Sequence, residues 1–123
     1  MARPGSSPHS LATIAPHNEQ FTELLVAGGE LIWRAGPLAK GPGLCHGTAG
    51  NGYAFLKLFG RTGDELWLER ARAFAMHAAA QVERMRNTHG RGRYTLWTGD
   101  LGTALYLRSC IEADAAMPMI DNF

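Results

Sequence analysis

The sequence predicts an all-α protein built from paired inner and outer helices. Three observations carry this. Apolar residues recur at helical spacing in four separate stretches. Gly and Pro clusters separate those stretches. Two Gly-x-x-Gly segments, Gly47-Thr48-Ala49-Gly50 and Gly99-Asp100-Leu101-Gly102, each open an apolar helix. Gly47 and Gly99 stand 52 positions apart (99 − 47), with an amphipathic helix between them. That is the pattern of a helical repeat. Glycines at the start of each inner helix let neighbouring helix ends approach closely. Two such units cannot close a ring, so an apolar face should remain open.

The elements follow in order. Residues 1–17 are rich in Pro, Ser and Gly and read as a disordered lead-in. The folded part should span 18–123. Asn18 is a candidate N-cap, and Phe21, Leu24, Leu25, Gly28, Leu31 and Ile32 share one face of a first helix ending near Arg34. The pair Gly28-Gly29 within it suggests close helix packing. A second helix should run from about Ala49 to Phe59, apolar on more than one face and so buried all round. Thr62 and Glu65 fit a capping box for the third. Its stripe is Trp67, Ala71, Phe74, Ala75, Ala78, Val82 and Met85, with His77 partly buried beside it. Asn87 to Arg93 reads as a loop. Thr98 to Gly102 opens the fourth helix, which ends before Pro118 and carries Cys110 as a buried thiol.

Charge and cysteine content narrow the function. A net charge of +1 gives no electrostatic case for nucleic acid or an anionic membrane. No stretch is apolar enough to span a bilayer, and the N-terminus lacks the apolar core of a signal peptide. Two cysteines make no disulfide framework, so a reducing cytoplasm is the expected location.

The chemistry concentrates in Gly41-Pro42-Gly43-Leu44-Cys45-His46-Gly47-Thr48-Ala49-Gly50-Asn51-Gly52. Thiolate and imidazole are preferred Zn²⁺ donors, and the positive end of a helix follows at once. A zinc site needs three or four protein ligands, and this stretch supplies two, Cys45 and His46. A small buried cysteine beside a satisfied core histidine explains the same two residues. Arg91 and Arg93 lie in a Gly-rich loop and read as a solvated basic loop or as an anion clamp for carboxylate. Asp100 and Glu112 are the acids near the second repeat. They offer a poor carboxylate pair for a glycosidase-like α/α toroid, because Asp100 reads as a first-turn helix acid.

The run from Trp33 through Lys40-Gly41-Pro42-Gly43-Leu44-Cys45-His46-Gly47-Thr48-Ala49-Gly50-Asn51-Gly52-Tyr53 closely resembles the lanthionine synthetase C-like proteins. The runs Leu96 to Ala104 and Pro118-Met119-Ile120-Asp121 are similar to that family's last repeat and its ending. The resemblance implies the C-terminal part of an α/α toroid, here an incomplete ring. It implies Zn²⁺ held by Cys45 and His46, with a third ligand cysteine one inner repeat upstream, before Met1, and the catalytic histidine further upstream. No catalytic residue then falls within this chain. The implied chemistry is thiol addition to dehydroamino acids in a cysteine-containing peptide, giving a thioether, with an acid to protonate the enolate. In animal members a lysine five residues before the ligand cysteine contacts glutathione, and Lys40 occupies that place. A later glutathione-contacting loop corresponds to about Thr88 to Arg91, where this sequence departs from the animal pattern. The chain then reads as a truncated cyclase with an incomplete zinc site, inactive alone, with the missing repeats on another chain as the implied partner. A non-catalytic remnant or a zinc- or glutathione-binding module is the competing expectation.

Overall fold

The computed structural model describes residues 19–37, 41–118, 120 and 121. The proposed lead-in, the Asn18 cap and Lys40 lie outside them. The described residues form four helices and no β-strand: α1 (Glu19–Ala35), α2 (Thr48–Thr62), α3 (Glu65–His89) and α4 (Asp100–Glu112). None is long and apolar enough to cross a membrane.

α2 is the buried centre. Thr48, Ala49, Gly52, Tyr53, Phe55, Leu56 and Leu58 are all out of solvent. It runs past Gly60 to Thr62 and stops where Gly63 turns left-handed (φ 69°), its N–H donating to the Phe59 carbonyl. α3 packs one face against α2 and α4, burying Trp67, Ala71, Phe74, Ala75 and Ala78. Val82 and Met85 are only half-buried, and His77 is exposed rather than partly buried. The packed face turns away before the end of this 25-residue helix. The helix also consumes Asn87 to His89 of the expected loop and is closed by Gly90 at φ 74°.

The capping box at Thr62 does not form. Asp64 is the N-cap and accepts the Leu66 N–H (3.0 Å). The Thr62 hydroxyl instead donates back to the Leu58 carbonyl (2.7 Å). The extra residues of α2 carry Thr62 into the preceding helix, so it cannot start the next.

An aromatic cluster joins the layers. Phe55 meets Phe74 edge-on at 4.8 Å and stacks with Trp67 at 5.9 Å. Each such fully buried ring stabilises the fold by roughly 2–3 kcal/mol. Trp33 brings α1 onto this cluster, 6.1 Å from Phe55 and 6.0 Å from Phe74. Arg70 lies over Trp33 and Trp67, 5.0 and 4.8 Å from their ring centres, and pairs with Glu30 at 2.7 Å.

The glycine pair of α1 divides. Gly29 is buried, and a Cβ there would overlap Leu58 and sit 2.9 Å from the Trp67 ring. At Gly28 a Cβ would meet nothing within 4 Å. The predicted apolar face is therefore only partly covered. Leu25, Val26 and Ile32 pack on the core, whereas Leu24 and Leu31 are 68% and 69% exposed.

Between α2, α3 and α4 lies a buried polar line. The Tyr106 hydroxyl donates to the Ala71 carbonyl, and the Cys110 thiol points at the same oxygen (3.7 Å). The Tyr53 hydroxyl shares a hydrogen bond of 2.9 Å with Ser109. Burial, above all, pushes both phenols above their ordinary 10.0 and the Cys110 thiol above its ordinary 9.0. The folded chain keeps protons that the unfolded chain releases. The stability these groups contribute is therefore fully present below about pH 9 and falls as pH rises from there. Urea midpoints should stay level from neutrality to about pH 9 and decline clearly by about pH 11. A midpoint level across that range would contradict the burial argument.

Candidate functional site

Residues 41–47 fold into a loop that caps α2 with its own backbone. The Thr48 N–H donates to the Gly41 carbonyl (3.0 Å), Ala49 to Pro42 (3.0 Å) and Gly50 to Gly43 (3.3 Å). Gly47 is the N-cap and supplies no side chain. The first three amides of the helix are thus taken by the loop, which answers the usual shortage of partners at a helix start. The Thr48 hydroxyl closes the loop further, donating to buried Gln81 of α3.

The second repeat repeats this geometry. The Asp100 N–H donates to the Arg93 carbonyl, again seven positions back (2.7 Å). The caps Gly47 (φ −116°, ψ −176°) and Gly99 (φ −121°, ψ −168°) share one conformation. A Cβ on Gly50 would overlap the Leu44 carbonyl, and one on Gly102 would overlap the Leu96 carbonyl, Leu44 and Leu96 being repeat equivalents. The Gly-x-x-Gly pattern is therefore a demand for space beneath each loop.

The two loops are joined. The Cys45 N–H donates to the Trp97 carbonyl (2.7 Å), and the Thr103 hydroxyl to the Pro42 carbonyl (3.1 Å). Leu44 is buried at the joint, against Gly102. Gly43 lies against Trp97 and Thr98, where a Cβ would stand 3.0 Å from the Trp97 carbonyl oxygen.

Cys45 and His46 are both exposed, between buried Leu44 and buried Gly47. The reading of them as core residues therefore fails. His46 takes a left-handed backbone (φ 59°), which costs a residue with a Cβ roughly 1–2 kcal/mol. Such strain at a candidate ligand, held by the bonds around it, is common where position matters more than stability.

As metal donors the pair fits Zn²⁺ in kind: a sulfur and an imidazole, side by side and open. It does not fit in number. Among the described residues no three of His, Cys, Asp or Glu gather where they could hold a metal ion. Cys110 is buried in the helix interface at Ala71. His89 belongs to a different place, a basic cleft of about 550 Å³ that it lines with Arg86, Arg91, Arg93 and Asp100. Arg91 is exposed there, beside the first residue of α4.

Gln81 lies in no run that the sequence singles out, and Pro42 and Trp97 lie in such runs without a role assigned to them. Gln81 and Pro42 act here through hydrogen bonds across 33 and 61 positions, and Trp97 through its bond to the other loop. One signal marks Trp97. The 52-residue repeat places it at the position of Cys45 in the next loop (97 − 45).

A profile of the lanthionine synthetase C-like proteins matches residues 9–121. A LanC-like protein of Arabidopsis thaliana, GCL1, is 34% identical over 113 residues, which is 89% of this chain and 25% of that protein. The Danio rerio protein named glutathione S-transferase LANCL1 is 38% identical over 106 residues, 83% of this chain and 25% of its own length. The chain spans about a quarter of the length of these curated relatives. With its Gly-x-x-Gly loops and exposed Cys-His pair, the chain belongs to the lanthionine synthetase C-like family.

Proposed function

We propose that this chain supplies two zinc ligands and part of a substrate cleft to a LanC-like thiol-addition site. The observation that carries the reading is the exposed Cys45-His46 pair, held on a doubly clamped loop with His46 in a strained backbone. When bound, Zn²⁺ would hold a thiol as its thiolate. The reaction is addition of a thiol S–H across the double bond of a dehydroalanine or dehydrobutyrine. A new S–C bond forms at the β-carbon and a proton arrives at the α-carbon. Arg91, in a basic cleft apart from the Cys45-His46 pair, receives a carboxylate at a more distant part of the peptide or thiol. Lys40 is assigned the same task from the resemblance alone. The third ligand and the proton donor are assigned, from the resemblance alone, to repeats beyond this stretch, and the proposal is that this chain by itself is inactive. Cytoplasmic location is part of the proposal.

Glutathione as the thiol is a second reading. The name of the Danio rerio relative and the basic lining of the Arg91 cleft favour it. A binding module without catalysis follows if no upstream repeats join the site.

Cobalt(II) titration of the purified chain tests the donor set. Four-ligand zinc sites bind with roughly 10–16 kcal/mol, so two ligands should give a dissociation constant on the order of 10 μM or weaker. A thiolate-to-cobalt absorption band should appear, vanish in Cys45→Ala and weaken in His46→Ala. Tight stoichiometric metal that survives Cys45→Ala would overturn the assignment.

A further inference from the structure

We infer that Thr103 of α4 and Gln81 of α3 are positioning residues for the Cys45-His46 pair, an assignment that rests on the proposed donor role of that pair. The loop's own bonds run from the Thr48, Ala49 and Gly50 amides back to the Gly41, Pro42 and Gly43 carbonyls. They fix the loop to the start of α2 and to nothing else. Bonds to other elements fix it within the fold. The Cys45 N–H meets the Trp97 carbonyl of the neighbouring loop (2.7 Å). The Thr103 hydroxyl donates to the Pro42 carbonyl (3.1 Å). The Thr48 hydroxyl donates to Gln81 Oε1.

The two side-chain bonds bracket the donors. Pro42 stands three positions before Cys45 (45 − 42), and Thr48 two after His46 (48 − 46). Thr48, Gln81 and Thr103 are buried, while Cys45 and His46 between them are exposed. A hydrogen bond out of water is stronger than one in it, because no solvent partner competes. The exposed donors have little packing to hold them, and His46 keeps a strained backbone that a loosened loop would release. The buried bonds at the loop ends therefore help to set the place of the sulfur and the imidazole. Groups behind a metal's ligands raise affinity by fixing ligand geometry before the metal arrives. Thr103 and Gln81 act one step further back, through the main chain. Each should count for one hydrogen bond, or about five-fold in metal affinity.

Three variants separate positioning from stability. Thr103→Val removes the hydroxyl and keeps the branched shape, and the Pro42 carbonyl still accepts the Ala49 N–H. Thr103→Ser does the reverse, keeping the hydroxyl and losing a buried methyl. Gln81→Met removes the acceptor of the Thr48 hydroxyl. Cobalt(II) titration is read beside amide hydrogen exchange by NMR. Thr103→Val and Gln81→Met should each weaken cobalt binding about five-fold and speed exchange of the Cys45 amide. Thr103→Ser should match the wild type in both, although its lost methyl speeds exchange at buried Phe74. A role in stability alone predicts the opposite order, with Thr103→Ser the more damaging of the two. Unchanged cobalt affinity and Cys45 exchange in Thr103→Val or Gln81→Met would overturn the inference for that residue. Equal weakening of cobalt binding in Thr103→Ser would overturn it for Thr103. A wild type with no cobalt band that depends on Cys45 would end the donor reading alone. Exchange at Cys45 then decides whether these residues hold the loop.

Discussion

Gly102→Ala should destabilise the fold by about 3 kcal/mol, the upper end for overpacking a filled interior. The new methyl overlaps the Leu96 carbonyl and comes within 2.7 Å of Leu44 Cγ and 2.8 Å of its Cδ1. Leu44 is 4% exposed and has little room to move. The carbonyl belongs to a loop whose closing bond runs from Asp100 to Arg93, so it cannot yield without releasing that bond. For a domain of this size the thermal midpoint should fall by about 15 °C. Gly28→Ala is the control. It adds the same methyl in mid-helix where nothing lies within 4 Å, and it should raise stability by about 0.5–1 kcal/mol. Thermal unfolding followed by circular dichroism separates the two. Equal small effects would mean that the Gly-x-x-Gly pattern reflects helix capping alone and not the space beneath the loops.

The repeat is legible in the sequence because it is local: two glycines three apart, an apolar helix, and the same again 52 positions on. The four helices are legible through their spacing for the same reason. The glycine pair of α1 cannot be divided by inspection. Gly28 and Gly29 are neighbours in sequence, yet a Cβ on the first meets nothing within 4 Å and one on the second meets Leu58 and Trp67. Nor does spacing alone show that Leu24 and Leu31 stay exposed while Leu25 and Ile32 are packed. Periodicity reports a stripe, and which part of the stripe is covered depends on what lies opposite. His77 departs from its expected burial on the same ground. At the candidate site, residue types identify Cys45 and His46, but their exposure depends on a loop closed largely by backbone bonds, which spacing alone does not reveal. The Asp64 cap is hidden by the length of α2, which turns Thr62 into a helix residue.

The last expected result uses the repeat to build what the described residues lack. Trp97→Cys should convert the two-donor site into a three-donor one. The Cys45 N–H already bonds the Trp97 carbonyl at 2.7 Å, so the two backbones touch at these positions. Both residues are exposed, Trp97 to 39%, and Trp97 stands outside the buried core cluster. The family resemblance implies a third ligand cysteine one inner repeat before Cys45. The substitution recreates that relation one inner repeat later, with Cys45 as the upstream partner and His46 beside it. If the energy of a four-ligand zinc site is shared evenly, each ligand contributes about 3 kcal/mol. Zinc affinity under reducing conditions should then rise about a hundred-fold over the wild type, read by competition with a chromophoric chelator. Without metal and under oxidation, Cys45 should form a disulfide with the introduced thiol, the two backbones being bonded directly at these positions. Mass spectrometry after thiol alkylation detects that bond on its own, whatever the metal does. Cys45→Ala in the Trp97→Cys background should abolish both effects. Unchanged zinc affinity with no disulfide would mean that the side chains at 45 and 97 diverge, and that the two loops repeat in backbone but not in the direction of these side chains.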